Sequence, residues 1–147
     1  TQSIDKSNNF LLNKIHDHLK NNKEEPLKIG NIDSYRNIIH PIDVVNGIDF
    51  ILNTEEGDDY NICNYSSFKI KDLVFNLYNN FGYELIRKDD KEEIYYDKIS
   101  NRPLLIIENN KNGLDKKSIH INGYPHKLKN LGWSIKYTID DIIQEFK

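Results

Sequence analysis

"LKIGNIDSYRNIIHPIDVVNGIDFIL", Leu27 to Leu52, places the chain among α/β proteins. Leu27–Gly30 reads as a short strand. Gly30–Asp33 reads as a turn in which Gly30 and Asn31 tolerate positive φ. Tyr35–His40 reads as a second strand. Pro41 then opens a helix at its first position, where a missing N–H costs nothing. Ile42, Val45, Ile48 and Leu52 recur at helical spacing and are expected to form its buried face.

The same alternation continues in both directions. Upstream, Ser7 or Asn8 can cap a helix carrying Phe10, Leu11, Ile15 and Leu19, which ends in a charged loop stopped by Pro26. Downstream, Asp59–Cys63 reads as a compact strand. Ser66 or Ser67 can cap the next helix, with Ile70, Leu73, Val74, Leu77 and Phe81 inward and Gly82 at its end. Tyr83–Lys88 and Pro103–Glu108 read as strands, separated by a charged, hairpin-like stretch over Lys88–Asn101. Ser118–Asn122 reads as a strand or extended piece, and Pro125 starts a helix that stops at Gly132-Trp133. Thr138 restarts the chain as a helix, with Asp141 three residues on, the spacing of a capping box. There is no internal repeat and no composition break, so residues 1–147 read as one domain.

The 147 residues hold 20 basic and 23 acidic side chains, well mixed, for a net charge of −3. That balance argues against nucleic acid or an anionic membrane as a main partner, and leaves room for a small Lys/Arg cluster facing a phosphate. No apolar run is long enough to span a bilayer, and the N-terminus is too polar for a signal peptide. The single Cys63 rules out an internal disulfide and suits a reducing compartment such as the cytoplasm. The absence of Met leads us to expect a piece of a longer polypeptide or a processed product. The absence of Ala beside abundant Asn, Ile, Lys and Tyr reads as AT bias in the coding sequence rather than as a prion-like tract.

Few residues point to chemistry. His16 and His18 are two apart on a helix, so they face apart and cannot pinch one metal; both are expected at the surface. Cys63 reads as a small buried hydrophobe, and the adjacent acidic pairs as solvated surface. Lys98 follows Tyr95 by three residues rather than the four that place a Tyr/Lys pair on one helix face. Arg36 stands out. It is one of three arginines, the others being Arg87 and Arg102, and it follows a Gly-Asn turn that can present it. A planar, permanently charged fork suits a bidentate phosphate contact, although an exposed strand arginine is the simpler local reading.

Several segments together resemble the C-terminal half of an extended short-chain dehydrogenase/reductase acting on sugar nucleotides. The similarity is greatest to GDP-mannose 4,6-dehydratases and the related GDP-4-keto-6-deoxymannose reductases. "NNFLLNKI" (Asn8–Ile15) resembles that family's Asn-Phe helix start, and Leu27–Leu52 its Leu-Gly-Asn-Leu-Asp-x-x-Arg-Asp stretch with the helix after it. "YNICNYSSFKIKDLV" (Tyr60–Val74) resembles a Tyr-Asn-Val-Cys-Ser-Gly strand and following helix, with Asn64-Tyr65 in place of the small residues. "KLKNLGWSIKYTIDDIIQEF" (Lys127–Phe146) resembles the family's Leu-Gly-Trp corner and terminal helix.

The resemblance implies an α/β, substrate-binding half of the NAD-dependent epimerase/dehydratase type, with short strands packed by helices and the Rossmann half absent. Asn9 matches the Asn that contacts the substrate phosphates, Lys14 a basic position on the same helix, and Arg36 the diphosphate clamp. The family's later Arg-Pro contact is replaced, with Lys111, Lys116 or Lys117 as the nearest cations and Arg102-Pro103 displaced upstream. No catalytic residue is expected in this chain, because the glycine-rich loop and the Tyr-x-x-x-Lys pair are missing. NAD or NADP would sit on the Rossmann half, supplied in cis or in trans. The implied function is binding a nucleotide sugar, GDP-mannose type favoured, for a dehydratase, epimerase or keto-reductase, in a homo-oligomer such as a dimer; this chain alone would not be active. The alternatives are a non-catalytic regulatory or oligomerisation module of the same shape, or an unrelated α/β interaction domain.

Overall fold

The computed structural model describes residues 10–21, 23–54, 57–88, 92–108 and 120–147. In chain order the elements are α1 (Leu11–Lys20), β1 (Leu27–Ile29), β2 (Tyr35–Arg36), α2 (Pro41–Leu52), β3 (Phe68–Lys69), α3 (Ile70–Asn80), β4 (Leu85–Arg87), β5 (Ile94–Asp97), β6 (Pro103–Ile107), α4 (His126–Leu131) and α5 (Ile139–Gln144). Four strands form one sheet in the order β1-β6-β5-β4, with β1 parallel to β6 and the other pairs antiparallel. β2 and β3 form a separate antiparallel ribbon of two rungs, Tyr35 opposite Lys69 and Arg36 opposite Phe68.

The main core lies between that sheet and helices α1, α3 and α5. Leu12 and Ile15 of α1 meet Leu73, Val74, Leu77 and Tyr78 of α3, Leu104 and Leu105 of β6, and Ile142 and Phe146 at the C-terminus. Each such aliphatic side chain removed from water contributes about 1.5–3 kcal/mol. Tyr78 keeps its hydroxyl satisfied by donating to the Leu104 carbonyl at 3.2 Å, and burial pushes its ionisation well above the usual tyrosine range. A smaller cluster of Ile39, Leu128 and Trp133 joins α2 to α4, with Val44, Phe50, Ile51 and Ile62 packed on it.

The C-terminal corner follows the sequence. Gly132 takes φ 107, which glycine adopts without a Cβ penalty, and the Gly132 and Trp133 amides donate to the Lys129 and Leu128 carbonyls. That is a Schellman ending. Thr138 and Asp141 form the expected capping box, and the two Thr138 hydrogen bonds lower the Asp141 pKa.

Four expectations need correction. α2 buries Asp43 and Gly47, whereas Ile42, Val45, Ile48 and Leu52, expected inward, are exposed, Val45 at 62% and Leu52 at 78%. The reason is close packing: at Gly47 a Cβ would meet Ile62 at 3.0 Å, so the side without a bulky side chain faces the protein. The stretch read as a charged hairpin contains a full strand, β5, which pairs on both sides and buries Tyr95; the lysines and acids around it concealed its alternation. Residues 59–63, read as a strand, join no ladder among the described residues, because no strand lies beside them. α1 and α3 start at Leu11 and Ile70 without side-chain caps, so Ser66 and Ser67 do not cap, and Ser7 and Asn8 lie outside the described residues.

Asp43 ties these parts together. Fully buried near the start of α2, its carboxylate accepts the Lys136 amide at 3.0 Å and the Tyr137 amide at 3.1 Å, in the linker between α4 and α5. His40 caps α2 by accepting the Ile42 amide on Nδ1, which leaves Nε2 as the donor to Glu145 at 2.7 Å, and its ring stacks on Tyr137. Asp43→Asn puts an amide NH2 against one of two backbone donors. The expected loss is about 1–3 kcal/mol of unfolding free energy, read from urea midpoints; an unchanged midpoint would mean the carboxylate does not organise the linker.

Candidate functional site

The two-rung β2–β3 ribbon carries Arg36 to a cleft of about 310 Å³. Leu11 and Leu12 from the first turn of α1, Ile70 and Leu73 from α3, and Asn31, Arg36, Asn37 and Ile38 from the β2 region line it. The walls are mainly aliphatic, with one permanent cation and two amides, the pattern of a pocket that grips a polar group and shelters an apolar one. Arg36 is half-buried, and its Nη1 donates to the Tyr35 carbonyl at 3.0 Å. The Tyr35 ring stacks on His120 with centroids 4.2 Å apart, and the two residues also form a parallel bridge.

The other candidates fall elsewhere. Asn9 and Lys111 lie outside the described residues, as do Lys116 and Lys117. Lys14 donates through Nζ to the Lys28 carbonyl at 3.0 Å and lines a second depression of about 500 Å³ with His18, Lys23, Glu24 and Glu25. Arg102 stands on that side too, close enough to His18 to act on its charge. Arg36 and Lys14 therefore line different depressions. The residue that sequence reading missed is Asn37, beside Arg36 in the cleft wall. The Asn content of the chain, read as coding bias, hid it.

Neither histidine of α1 is the surface residue expected. His18 is buried and His16 is half-buried, edge-on to Phe81 and Phe146 at 5.9 Å. Burial chiefly lowers both pKa values, with Lys20 adding to it at His16 and Lys23 and Arg102 at His18. Cys63, read as buried, is only partly buried, and burial pushes its thiol pKa up; its Sγ lies where a Cβ on Gly123 would be only 2.6 Å away. Among the described residues no cluster of three His, Cys, Asp or Glu could hold a metal, and no helix is long and apolar enough to cross a membrane.

The family profile described as GDP-mannose 4,6 dehydratase matches residues 1–146. The chain belongs to that family. Solved structures agree on the fold of this family member. RMD from Pseudomonas aeruginosa, complexed with NADPH, aligns with a TM-score of 0.71 at 18% identity, over 96% of this chain and 42% of that one. dTDP-glucose 4,6-dehydratase from Bacillus anthracis, in complex with NAD, aligns with a TM-score of 0.66 at 22% identity, over 99% and 40%. UDP-glucuronic acid 4-epimerase from Bacillus cereus, in complex with NAD, gives 0.64 at 15% identity, over 95% and 38%. No curated protein sequence matches at a significant level.

The family is thus that of GDP-mannose 4,6 dehydratase, and the fold is shared with solved sugar-nucleotide dehydratases and epimerases. The chain's short strands and helices form the C-terminal part of an extended short-chain dehydrogenase/reductase. It spans about two fifths of the length of the solved structures it matches.

The lowered histidine pKa values set an acid-side dependence. Below the ordinary histidine value of 6.5 the unfolded chain binds more protons than the native one, so stability rises with pH through that window and is eroded on acidification. We expect urea midpoints to fall between about pH 7 and about pH 5.5, and His18→Gln to flatten part of that slope. A slope unchanged by His18→Gln would remove His18 from the account.

Proposed function

We propose that residues 1–147 form the nucleotide-sugar-binding domain of an NAD(P)-dependent sugar-nucleotide dehydratase, epimerase or keto-reductase, with a GDP-mannose-type substrate favoured. The observation that carries this reading is Arg36 on the wall of the cleft beside the first turn of α1. A guanidinium meets a diphosphate with two parallel charge-assisted hydrogen bonds, and the aliphatic walls raise their strength by excluding water. In this reading Arg36 neutralises the diphosphate. Asn9, one residue before Phe10 in sequence, is the candidate polar contact that the family resemblance supplies, and Lys111 is the candidate for the family's later cation, since Arg102 stands on the Lys14–His18 side instead. Lys14 contributes to the field around α1 rather than to a direct contact, since its ammonium is engaged by the Lys28 carbonyl.

Hydride chemistry on the sugar belongs to NAD or NADP, held by a Rossmann half in cis or in trans; no catalytic residue is assigned to this chain. The outer stripe of α2 supports such a partner. A helix apolar on both sides is normally sandwiched between two layers, and Ile42, Val45, Ile48 and Leu52 form an exposed stripe opposite the side packed on Ile62. In this proposal the Rossmann half covers that stripe and the neighbouring residues 59–63, which join no strand ladder among the described residues, and the assembled enzyme is a cytoplasmic homo-oligomer.

The binding test is a ligand-detected NMR titration with GDP-mannose, a UDP-hexose, a dTDP-hexose and a CDP-hexose. It is run on this chain and on the polypeptide translated with its upstream coding sequence. One nucleotide class should bind, and Arg36→Ala should weaken it about 10- to 100-fold, the loss of a charge-assisted pair. Binding that is indifferent to Arg36→Ala, or no binding by either folded form, would reject the reading.

The partner test uses Val45→Glu. At so exposed a position this change should leave the stability of the chain within about 0.5 kcal/mol, yet expel a covering partner. Expressed with its upstream sequence, the variant should show limited proteolysis between the halves where the parent resists it. Equal resistance would place the partner elsewhere.

A further inference from the structure

We propose that Asn37 is a positioning residue: a two-way amide clasp between Asn37 and Asn64 sets where Arg36 presents its guanidinium to a diphosphate. The inference rests on the reading of Arg36 given above and adds the residue that makes its placement definite.

A ribbon of two rungs is marginal by itself, and β2–β3 ends at the pair Arg36–Phe68. Beyond that pair, side chains take over the work of the ladder. The Asn64 amide donates to Asn37 Oδ1 at 2.8 Å, and Asn37 Nδ2 donates back to the Asn64 carbonyl at 2.8 Å and more weakly to the Ser66 carbonyl at 3.3 Å. Asn64, itself buried, completes the clasp. Its Nδ2 donates to the Ile38 carbonyl at 3.0 Å, and its Oδ1 accepts the Ser66 amide at 3.2 Å. Arg36 thus sits between two anchors. On one side Tyr35 is held by the ribbon and the His120 stack; on the other Asn37 and Ile38 are held by the clasp.

The chemistry of the clasp needs an amide. Both the N–H and the C=O of Asn64 are met by one side chain, so that side chain must donate and accept at once. A carboxylate at position 37 could accept the Asn64 N–H but would turn lone pairs toward the Asn64 and Ser66 carbonyls. A rotation that carried Arg36 out of the cleft wall would break these bonds together, and buried amides left unpaired are costly. Asn37 also lines the cleft, so its clasp fixes a wall of the pocket as well as the neighbouring backbone.

The experiment combines a ligand-free and a ligand-bound readout, with Asn37→Asp and the uncharged Asn37→Ala as the two variants. Amide dispersion in the NMR spectrum checks that each folds. With only three arginines in the chain, the Arg36 Nε–H resonance is readily assigned; it should shift or broaden in both variants, while those of Arg87 and Arg102 stay in place. For GDP-mannose, the uncharged Asn37→Ala, which adds no charge to the cleft wall, should weaken binding about tenfold in the parent and less than about twofold in an Arg36→Lys background, the non-additivity of residues acting through one contact. Equal losses in the two backgrounds, or an unmoved Arg36 resonance, would overturn the clasp as a positioning device and leave it structural. Failure of the parent to bind any nucleotide sugar is a different result. It removes the proposed function, and the resonance, which needs no ligand, still decides whether the clasp sets Arg36.

Discussion

The buried carboxylate of Asp43 is the constraint on which the C-terminal half of this structure hangs. A charge taken fully out of water is tolerable only when hydrogen bonds replace its hydration, and here the Lys136 and Tyr137 amides do so. Because those amides lie in the linker between α4 and α5, satisfying the carboxylate also fixes the direction in which the chain leaves the Gly132-Trp133 corner. The His40 cap, its bond to Glu145 and its stack on Tyr137 hold the same junction from the other side. α5 then delivers Ile142 and Ile143 to the main core, with Phe146 just beyond it.

The same local logic explains the candidate site. Arg36 is placed by a ribbon too short to be stable alone, and three neighbouring features stiffen it: the Tyr35–His120 stack, the Lys69–Asp33 ion pair and the amide bonds between residues 37 and 64. The ion pair is exposed and contributes little, on the order of 0–1 kcal/mol. The amide pair is better sheltered, because Asn64 is buried. The placement of Arg36 on such a ribbon depends chiefly on side chains from distant segments.

Much of this was legible in the residues. Pro41, Gly82, Gly132 and the Thr138–Asp141 box mark real boundaries, because caps and stops are local physics. The family resemblance rested on ordered segments from Asn8 to Phe146, and the match over residues 1–146 bears it out. What failed was non-local. Which side of α2 is buried depends on Gly47 meeting Ile62, and a periodic stripe of Ile, Val and Leu says only that a side is apolar, not what covers it. β5 was missed because charged neighbours mask a strand whose pairing supplies its stability. His18 was misplaced because its burial comes from the surrounding fold. At the site, the scarcity of arginine exposed Arg36, while nothing in an Asn-rich chain singled out Asn37.

The parallel pairing of β1 with β6 has a consequence for how the molecule is made. Leu27 aligns with Leu105, so a ribosome must complete most of the chain before β1 meets its neighbour. β4, β5 and β6, by contrast, are joined by short connections and can zip as a meander soon after they emerge. Closing a long loop before any contact rewards it is the slow step in such topologies. The topology thus favours early local pairing in the meander and later docking of β1, with α1 just before it in the chain. Since Leu11 and Leu12 of α1 help to wall the Arg36 cleft, that wall depends on the same long-range closure, and it cannot be complete before β6 has been synthesised.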